Sequence, residues 1–477
     1  MKGPLFTDLY QFTNAYNLWL AGKAFDNAVF EAYIRSTPFK CDFCVFAGIY
    51  DVVSYLESYK FSEVDLQFIK DKCLPYAEEG FFDVLRDLNV CEVLKMSSFP
   101  EGEIFLENEP VLVVEGPVFV CMLLETPILN MLGFASLVAT NAARMRLSVT
   151  RVDGSRPLLM EFGLRRAQGD GLSASKYSYL GGFDATSNVL AAALYDIPIR
   201  GTMSHAFVCS FDGCESVPGK VIQIRERVME IVNVNVRPND GELAAFYACK
   251  NQPNFIALID TYSCLKSGLI NFLAVAVWLK MSGNFKPMGV RIDSGDLTQL
   301  VLSIKKTFTT IADSFKIKFD DLNIFCSGDL NDDTLQELTK KRVPIDGYGV
   351  GTKLVTCSDQ SSLGMVYKIC EINYKPVSKI SSDDVAKQSL PGRKTVLRLE
   401  DDSSVKDVIL CSTEDLSSYL THGYKRMHVD IFPNGVKDTN HVSRRRCLDR
   451  LTIRLTKFSV ELSPKMVANQ VNASISL

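Results

Sequence analysis

The sequence predicts an α/β protein built on a parallel sheet, and two patterns predict it. Six short apolar runs, each closing on a polar or glycine-rich turn, alternate with helical periodicity through the middle of the chain. Residues able to bind anions or move protons sit at the ends of these runs, where a parallel sheet or barrel assembles its sites. A doubly wound sheet and an irregular α/β barrel both satisfy this order.

Taken along the chain, the first 150 residues mix helical and strand-like patterns. Helices are expected at Asp8 to Leu20 and Asp42 to Ser58, and strands at Ala28 to Tyr33, Ile104 to Leu106 and Val111 to Val114. The apolar stretch Val111 to Thr140 is interrupted by Glu115, Pro117, Glu125 and Pro127, so it reads as buried core and not as a membrane span. The six runs follow at Pro157 to Phe162, Ile197 to Gly201, Phe255 to Asp260, Gly289 to Asp293, Asn323 to Ser327 and Ile345 to Gly349. Leu297, Leu300, Val301 and Ile304 give the clearest intervening helix. Strand patterns return at Met365 to Ile372 and Thr395 to Leu399, flanking a polar, lysine-rich excursion, and the basic tail from His441 reads as surface-lying. The expected domains are residues 1–150, an α/β body at 151–355, and a segment at 356–477 packing with the first.

At 477 residues and 47% hydrophobic, the chain can bury a large core of the ordinary soluble kind. A net charge of −4 offers no cationic field for nucleic acid or anionic membranes, so neither is expected as a partner. The start lacks the basic and apolar regions of a signal peptide. The 14 cysteines include one CxxC, Cys41 to Cys44, with nothing to complete a zinc site, so reduced thiols in a cytosol are expected. No GxSxG elbow or HExxH is present.

The run ends supply the candidate chemistry. Ser327-Gly328-Asp329 and the segment Gly347 to Thr352, with Gly349 and Gly351, can expose backbone N–H groups to a phosphate, although such turns are often purely structural. Arg291, Asp293 and Asp296 combine a cation for phosphate with carboxylates for ribose hydroxyls or hydrated magnesium; the competing reading is a helix cap at Ser294 or Asp293. His205, one of four histidines, follows a run end, where a neutral ring can act as base or be phosphorylated if an acid orients its second nitrogen. Arg165, Arg166, Thr202, Asp260 and Thr261 close other runs.

Together these segments resemble nicotinate phosphoribosyltransferases. The resemblance runs in family order through TDLYQFT (Thr7 to Thr13), EFGLRRAQGDG (Glu161 to Gly171), GGFDATSN (Gly181 to Asn188), GTMSH (Gly201 to His205), LIDTY (Leu258 to Tyr262), VRIDSGDL (Val290 to Leu297), SGDL (Ser327 to Leu330) and GYGVGT (Gly347 to Thr352). It implies an irregular (β/α) barrel of the type II phosphoribosyltransferase kind, with a second α+β domain from N-terminal and late segments, in a homodimer with shared sites. It implies His205 as the histidine phosphorylated by ATP, with Arg291 and Asp293 also catalytic. Tyr10, Phe162, Arg165, Thr202 and Arg291 would line a nicotinate pocket, Tyr10 from the other subunit. Asp293, Ser327, Gly328, Gly349, Gly351 and Thr352 would hold phosphoribosyl pyrophosphate, with Mg2+ or Mn2+ as cofactor, its protein ligands unassigned, and ATP as cosubstrate. The chain departs from the family pattern in the shorter AQGDGLSAS loop after Arg166, in Ser204 and Ala206 flanking the histidine, and in Ser412 to Arg446.

Three other readings stay open. A nicotinamide-specific relative would want an acid after the Gly-Thr pair, whereas Gly201-Thr202 leads into Met203. A quinolinate enzyme would call for more basic residues around a dianion. A barrel with a binding role only would dispense with Arg165, His205, Arg291 and Thr352.

Overall fold

The computed structural model describes the chain except residues 1, 152, 287, 320, 380–387, 402–403, 436, 453–457, 464–465 and 467–477. It divides into two compact units, one of Met1–Ala143, Leu180–Gly182 and Asp359–Leu477, the other of Arg144–Tyr179 and Phe183–Ser358.

The second unit carries a six-stranded sheet: β1 (Leu158–Glu161), β2 (Ala185–Thr186), β3 (Phe255–Leu258), β4 (Met288–Ile292), β5 (Leu322–Cys326) and β6 (Gly347–Val350), in the order β2-β1-β6-β5-β4-β3. Every neighbouring pair is parallel. Parallel register therefore brings all six C-terminal ends to one edge. Five of the six expected runs form strands. The exception is Ile197 to Gly201, which makes only an isolated bridge, Ile199 to Thr186. Pro198 has no N–H to donate to a ladder, and the edge position passes to β2, whose two residues lie inside GGFDATSN.

Helix Leu297–Phe315 buries Val301, Ile304, Phe308 and Ile311 on one stripe, as its period requires. Helix Leu269–Met281 differs, being apolar all round and buried at Leu269 through Val277. By length and composition Cys264–Met281 could cross a membrane, but 67% of it is buried within the protein, as in a core helix.

The first unit is α+β, as the resemblance implies. Its main sheet runs Lys375–Pro376, Met365–Ile372, Asn27–Ile34, Leu112–Pro117, Lys95–Ser98, Val429–Phe432, each neighbour antiparallel. Phe30 stacks on Tyr367 at 4.9 Å across the pairing of early and late strands. A second sheet pairs Lys394–Glu400 with Val405–Cys411. Buried charges here are matched: Lys394 Nζ to Glu31 at 2.6 Å, and Arg398 to Asp407 at 2.6 Å and Glu103 at 2.9 Å.

Two expectations for this unit change. The helix expected from Asp42 begins at Ile49, because Cys44–Val45 is a strand paired with Ile104–Phe105 and Gly48, at φ +98°, turns the chain where a Cβ would stand 2.8 Å from Met131 O. The basic tail is not simply surface-lying. Helix Asn440–Thr452 buries Ser443, Cys447 and Leu451, four residues apart, while Arg450 reaches Glu103 at 2.7 Å. Much of the lysine-rich excursion, 380–387, lies outside the described residues.

Candidate active site

The strand ends of the second unit are laced by backbone hydrogen bonds across the sheet: Ile259 N to Arg291 O (3.1 Å), Ser327 N to Ile292 O (2.9 Å), Phe162 N to Val350 O (2.9 Å) and Ser187 N to Glu161 O (2.9 Å). The side chains just beyond them are thereby held on a common frame.

His205 opens the short helix His205–Cys209, capped by Ser204, which accepts from Phe207 N. Ser204, a departure from the family pattern, thus has a local structural use. The ring is held at Nδ1 by Thr261 Oγ1 at 3.0 Å, while Nε2 faces Asp260 Oδ1 at 3.9 Å and Asp293 Oδ2 at 4.0 Å. When Nδ1 carries the proton, the Nε2 lone pair is left pointing between two carboxylates. Those distances exceed hydrogen bonds and leave that nitrogen accessible, its side chain 45% exposed.

Asp260 ties β3 to β4. Its Oδ2 accepts from Asp293 N at 3.2 Å and from Ser294 Oγ at 2.6 Å, while its buried Oδ1 has no hydrogen-bond partner among the described residues. Asp293 in turn accepts from Ser327 Oγ. The helix cap falls to Asp296, whose Oδ1 accepts from Gln299 N at 3.0 Å, not to Ser294 or Asp293. Asp293 is thereby left facing the histidine.

Arg291 and Phe162 meet across the sheet, the guanidinium carbon 5.9 Å from the ring centroid. Gly349 explains how the ring reaches there: a Cβ at that position would come within 2.5 Å of Phe162. Gly349 therefore clears space for the ring. Arg291 donates to Met203 O at 3.3 Å, and its buried Nε has no partner among the described residues. Burial pulls the Arg291 pKa below the ordinary arginine value, Asp293 and Asp260 oppose that shift, and Arg165 adds to it. Arg165, exposed on the turn Leu164–Arg166 just past Phe162, has no carboxylate partner among the described residues. Thr202 donates to Met203 O at 3.3 Å on the same approach.

Gly328, at φ +86°, brings the β5 turn so close that a Cβ would lie 2.3 Å from Asp293 O. The next helix starts only at Asp332, capped by Asn331, so Ser327-Gly328-Asp329 is a loop and not itself a helix N-terminus. Gly351 and Thr352 follow β6 directly, Thr352 opening a five-residue helical turn. Tyr10 belongs to the first unit, on helix Leu9–Leu20, half-exposed and donating to Glu125 Oε2 at 3.4 Å.

The sequence reading gave no role to Glu161, which is buried at the end of β1 and accepts from Ser175 Oγ at 2.9 Å and from Thr186 Oγ1 and Gly163 N. Its place at the head of the EFGLRRAQGDG segment was the available signal. Among the described residues no group of three or more acids, histidines or cysteines forms a ready metal cage. Asp260 and Asp293 still offer hard oxygen donors, which suits a magnesium ion carried mainly by phosphates and water.

Known proteins match this arrangement. Residues 5–133 match the nicotinate phosphoribosyltransferase N-terminal domain, and residues 158–428 match the nicotinate phosphoribosyltransferase family. The chain belongs to the nicotinate phosphoribosyltransferase family. Nicotinate phosphoribosyltransferase 1 of Arabidopsis thaliana is 43% identical over 84% of this chain and 74% of its own length. The crystal structure of human nicotinic acid phosphoribosyltransferase superposes with a TM-score of 0.84 at 33% identity, over 98% of this chain and 99% of that one. Nicotinate-nucleotide pyrophosphorylase from Pyrococcus furiosus, at 20% identity, shares the fold with a TM-score of 0.65 over 94% of both chains. The parallel sheet and the antiparallel-sheet unit are those of type II phosphoribosyltransferases, and this member of the nicotinate phosphoribosyltransferase family is an enzyme.

Proposed function

We propose that the chain joins nicotinate to phosphoribosyl pyrophosphate, giving nicotinate mononucleotide and pyrophosphate, with ATP hydrolysed through a phosphohistidine at His205. The observation that carries this reading is Arg291 over the Phe162 ring, with Arg165 exposed on the turn just past that ring, at the strand edge that also holds His205. A flat aromatic acid answers both features, its ring against Phe162 and its carboxylate between the cations.

In this reading the pyridine nitrogen donates its lone pair to the ribose anomeric carbon as the C–O bond to pyrophosphate breaks. Asp293 meets the ribose hydroxyls; Ser327, Gly328, Gly351 and Thr352 receive the 5′-phosphate; Gly349 acts through Phe162. Thr202 lines the pocket, and Tyr10 is supplied by the partner in a homodimer with shared sites. Magnesium or manganese, when bound with the phosphates, would neutralise the departing charge. For ATP, Nε2 of His205 attacks the γ-phosphorus and ADP leaves, while Thr261 holds Nδ1 and the two aspartates fix the ring's outer face. The charge balance and the fourteen cysteines, none of them in a disulfide, support a cytosolic enzyme without nucleic acid or membrane partners.

The test is an assay of the purified protein with phosphoribosyl pyrophosphate, magnesium and ATP, offering nicotinate, nicotinamide or quinolinate and separating the products by chromatography. Mononucleotide from nicotinate alone, with ADP formed alongside, is the expected result. Equal use of nicotinamide would contradict the acid-specific pocket, and no product from any of the three would favour a binding protein.

A further inference from the structure

Behind the strand edge lies a buried carboxyl that the chemistry above does not use. Glu242, in helix Asp240–Ala248, is fully buried. Its Oε2 accepts from Ser267 Oγ at 2.5 Å and from Asn271 Nδ2 at 3.0 Å. Ser267 Oγ also accepts from Asn239 N at 2.9 Å, and Asn271 Nδ2 also donates to Asn239 O at 2.9 Å. Four groups from the helix start, the wide turn Cys264–Gly268 and the following core helix are thereby locked together.

That turn bears directly on the active edge. Ser267 N and Gly268 N both bond Ser263 O, at 2.9 and 3.0 Å. Gly268 lies so tightly on the chain just past β3 that a Cβ there would stand 2.0 Å from Ile259 O. Ile259 immediately precedes Asp260 and Thr261, the residues that face and hold His205. An unbroken series of close contacts thus runs from Glu242 through Ser267 and Gly268 to the segment that orients the histidine.

We propose that Glu242 is a positioning residue for phosphoryl transfer to His205, clamping the turn Cys264–Gly268 so that Asp260 and Thr261 hold the imidazole in line with its phosphoryl donor. The inference rests on His205 being the phosphorylated residue. Glu242 touches neither substrate nor the ring and acts through the two acceptor bonds it offers Ser267 and Asn271. The titratable groups that sense it are Asp260, Tyr262 and Cys264. Burial, with Asp260 adding to it, lifts the Glu242 carboxyl to about 7, so a neutral isostere retaining the acceptor oxygen is a conservative replacement.

The experiment measures the rate of phosphate uptake from γ-labelled ATP onto His205 in the full-length enzyme, alongside the KM for nicotinate, for wild type, Glu242→Ala, Glu242→Gln and Ser267→Ala. Glu242→Ala is expected to slow labelling about tenfold or more, since small misplacements of reacting groups have effects of that size. Its KM for nicotinate should not change. Glu242→Gln should stay within about threefold of wild type, and Ser267→Ala should slow labelling in the same direction by a smaller factor, as loss of one hydrogen bond does. Folded Glu242→Ala that labels at the wild-type rate overturns the proposal, as does a Gln variant no better than Ala. If Glu242→Ala does not fold, Ser267→Ala decides, and unchanged labelling overturns it. A wild-type enzyme that takes up no label removes the phosphohistidine reading itself, a failure distinct from labelling that ignores Glu242.

Discussion

The buried pairs of the first unit and the strand edge of the second handle charge in opposite ways, although the second unit has matched pairs of its own away from that edge, Arg146 with Asp184 and Arg225 with Asp240. In the first, Arg398 is buried and its guanidinium is met by Asp407 and Glu103, and Lys394 is met by Glu31. At the strand edge of the second, among the described residues, Arg165 is exposed without a carboxylate partner, and the buried Arg291 Nε and Asp260 Oδ1 have no hydrogen-bond partner. A matched buried pair holds elements in register and is spent on structure. Unmatched groups collected on one edge keep their interaction energy for something that arrives. The contrast separates charges spent on structure from charges left for a ligand more sharply than composition does.

The largest effect should come from unmatching a pair in the first unit. Arg398→Met leaves the buried Asp407 without its guanidinium partner, while Glu103 keeps Arg450, and should cost about 3–5 kcal/mol in chemical denaturation. An unchanged unfolding midpoint would erase the contrast. Glu242 and His428 then predict opposite pH slopes. Burial raises the Glu242 carboxyl from 4.5 to about 7, so the native state binds its proton more tightly. Its contribution is fully present below about 4.5 and is lost as pH rises toward about 7, at most about 3 kcal/mol. His428, enclosed against Phe99 with Nε2 on Pro110 O, is pushed down by burial from 6.5 to about 4. Its contribution is present above 6.5 and is lost as pH falls toward about 4. Stability curves against pH for Glu242→Gln and His428→Gln should each flatten in its own window and nowhere else. Smaller again is Gly349→Ala, which forces the Phe162 ring away from Arg291; overpacking of this kind costs about 1–3 kcal/mol. The loss should appear in nicotinate affinity as well as in melting temperature.

How much of this was legible in the sequence follows from range. The strand ends were readable because a parallel strand announces its C-terminus locally, by an apolar run giving way to Asp260, Asp293 or Ser327-Gly328. Site residues at those ends could therefore be named before their contacts were known. What could not be read depends on distant partners. Nothing near Gly349 says that it must clear Phe162, and Glu242 looks like an ordinary helix-start acid until Ser267 and Asn271 close over it. Ile197 to Gly201 has strand composition, yet Pro198 and the competing edge β2 leave it a single bridge. The helix Asn440–Thr452 hid its inward stripe beneath four arginines, three of them consecutive at Arg444, Arg445 and Arg446.

On the reading proposed above, Arg165 and Arg291 receive the substrate carboxylate at the strand edge. This is tested most directly by the ratio of kcat/KM for nicotinate to that for nicotinamide, in wild type and in Arg165→Ala. The ratio should fall by about tenfold to a hundredfold, through KM for nicotinate, because a charge-assisted bond of about 1.5–3 kcal/mol is lost for the acid and not for the amide. If activity toward both substrates falls by the same factor, Arg165 is not reading the carboxylate, and the contrast between the two units does not explain what the enzyme binds.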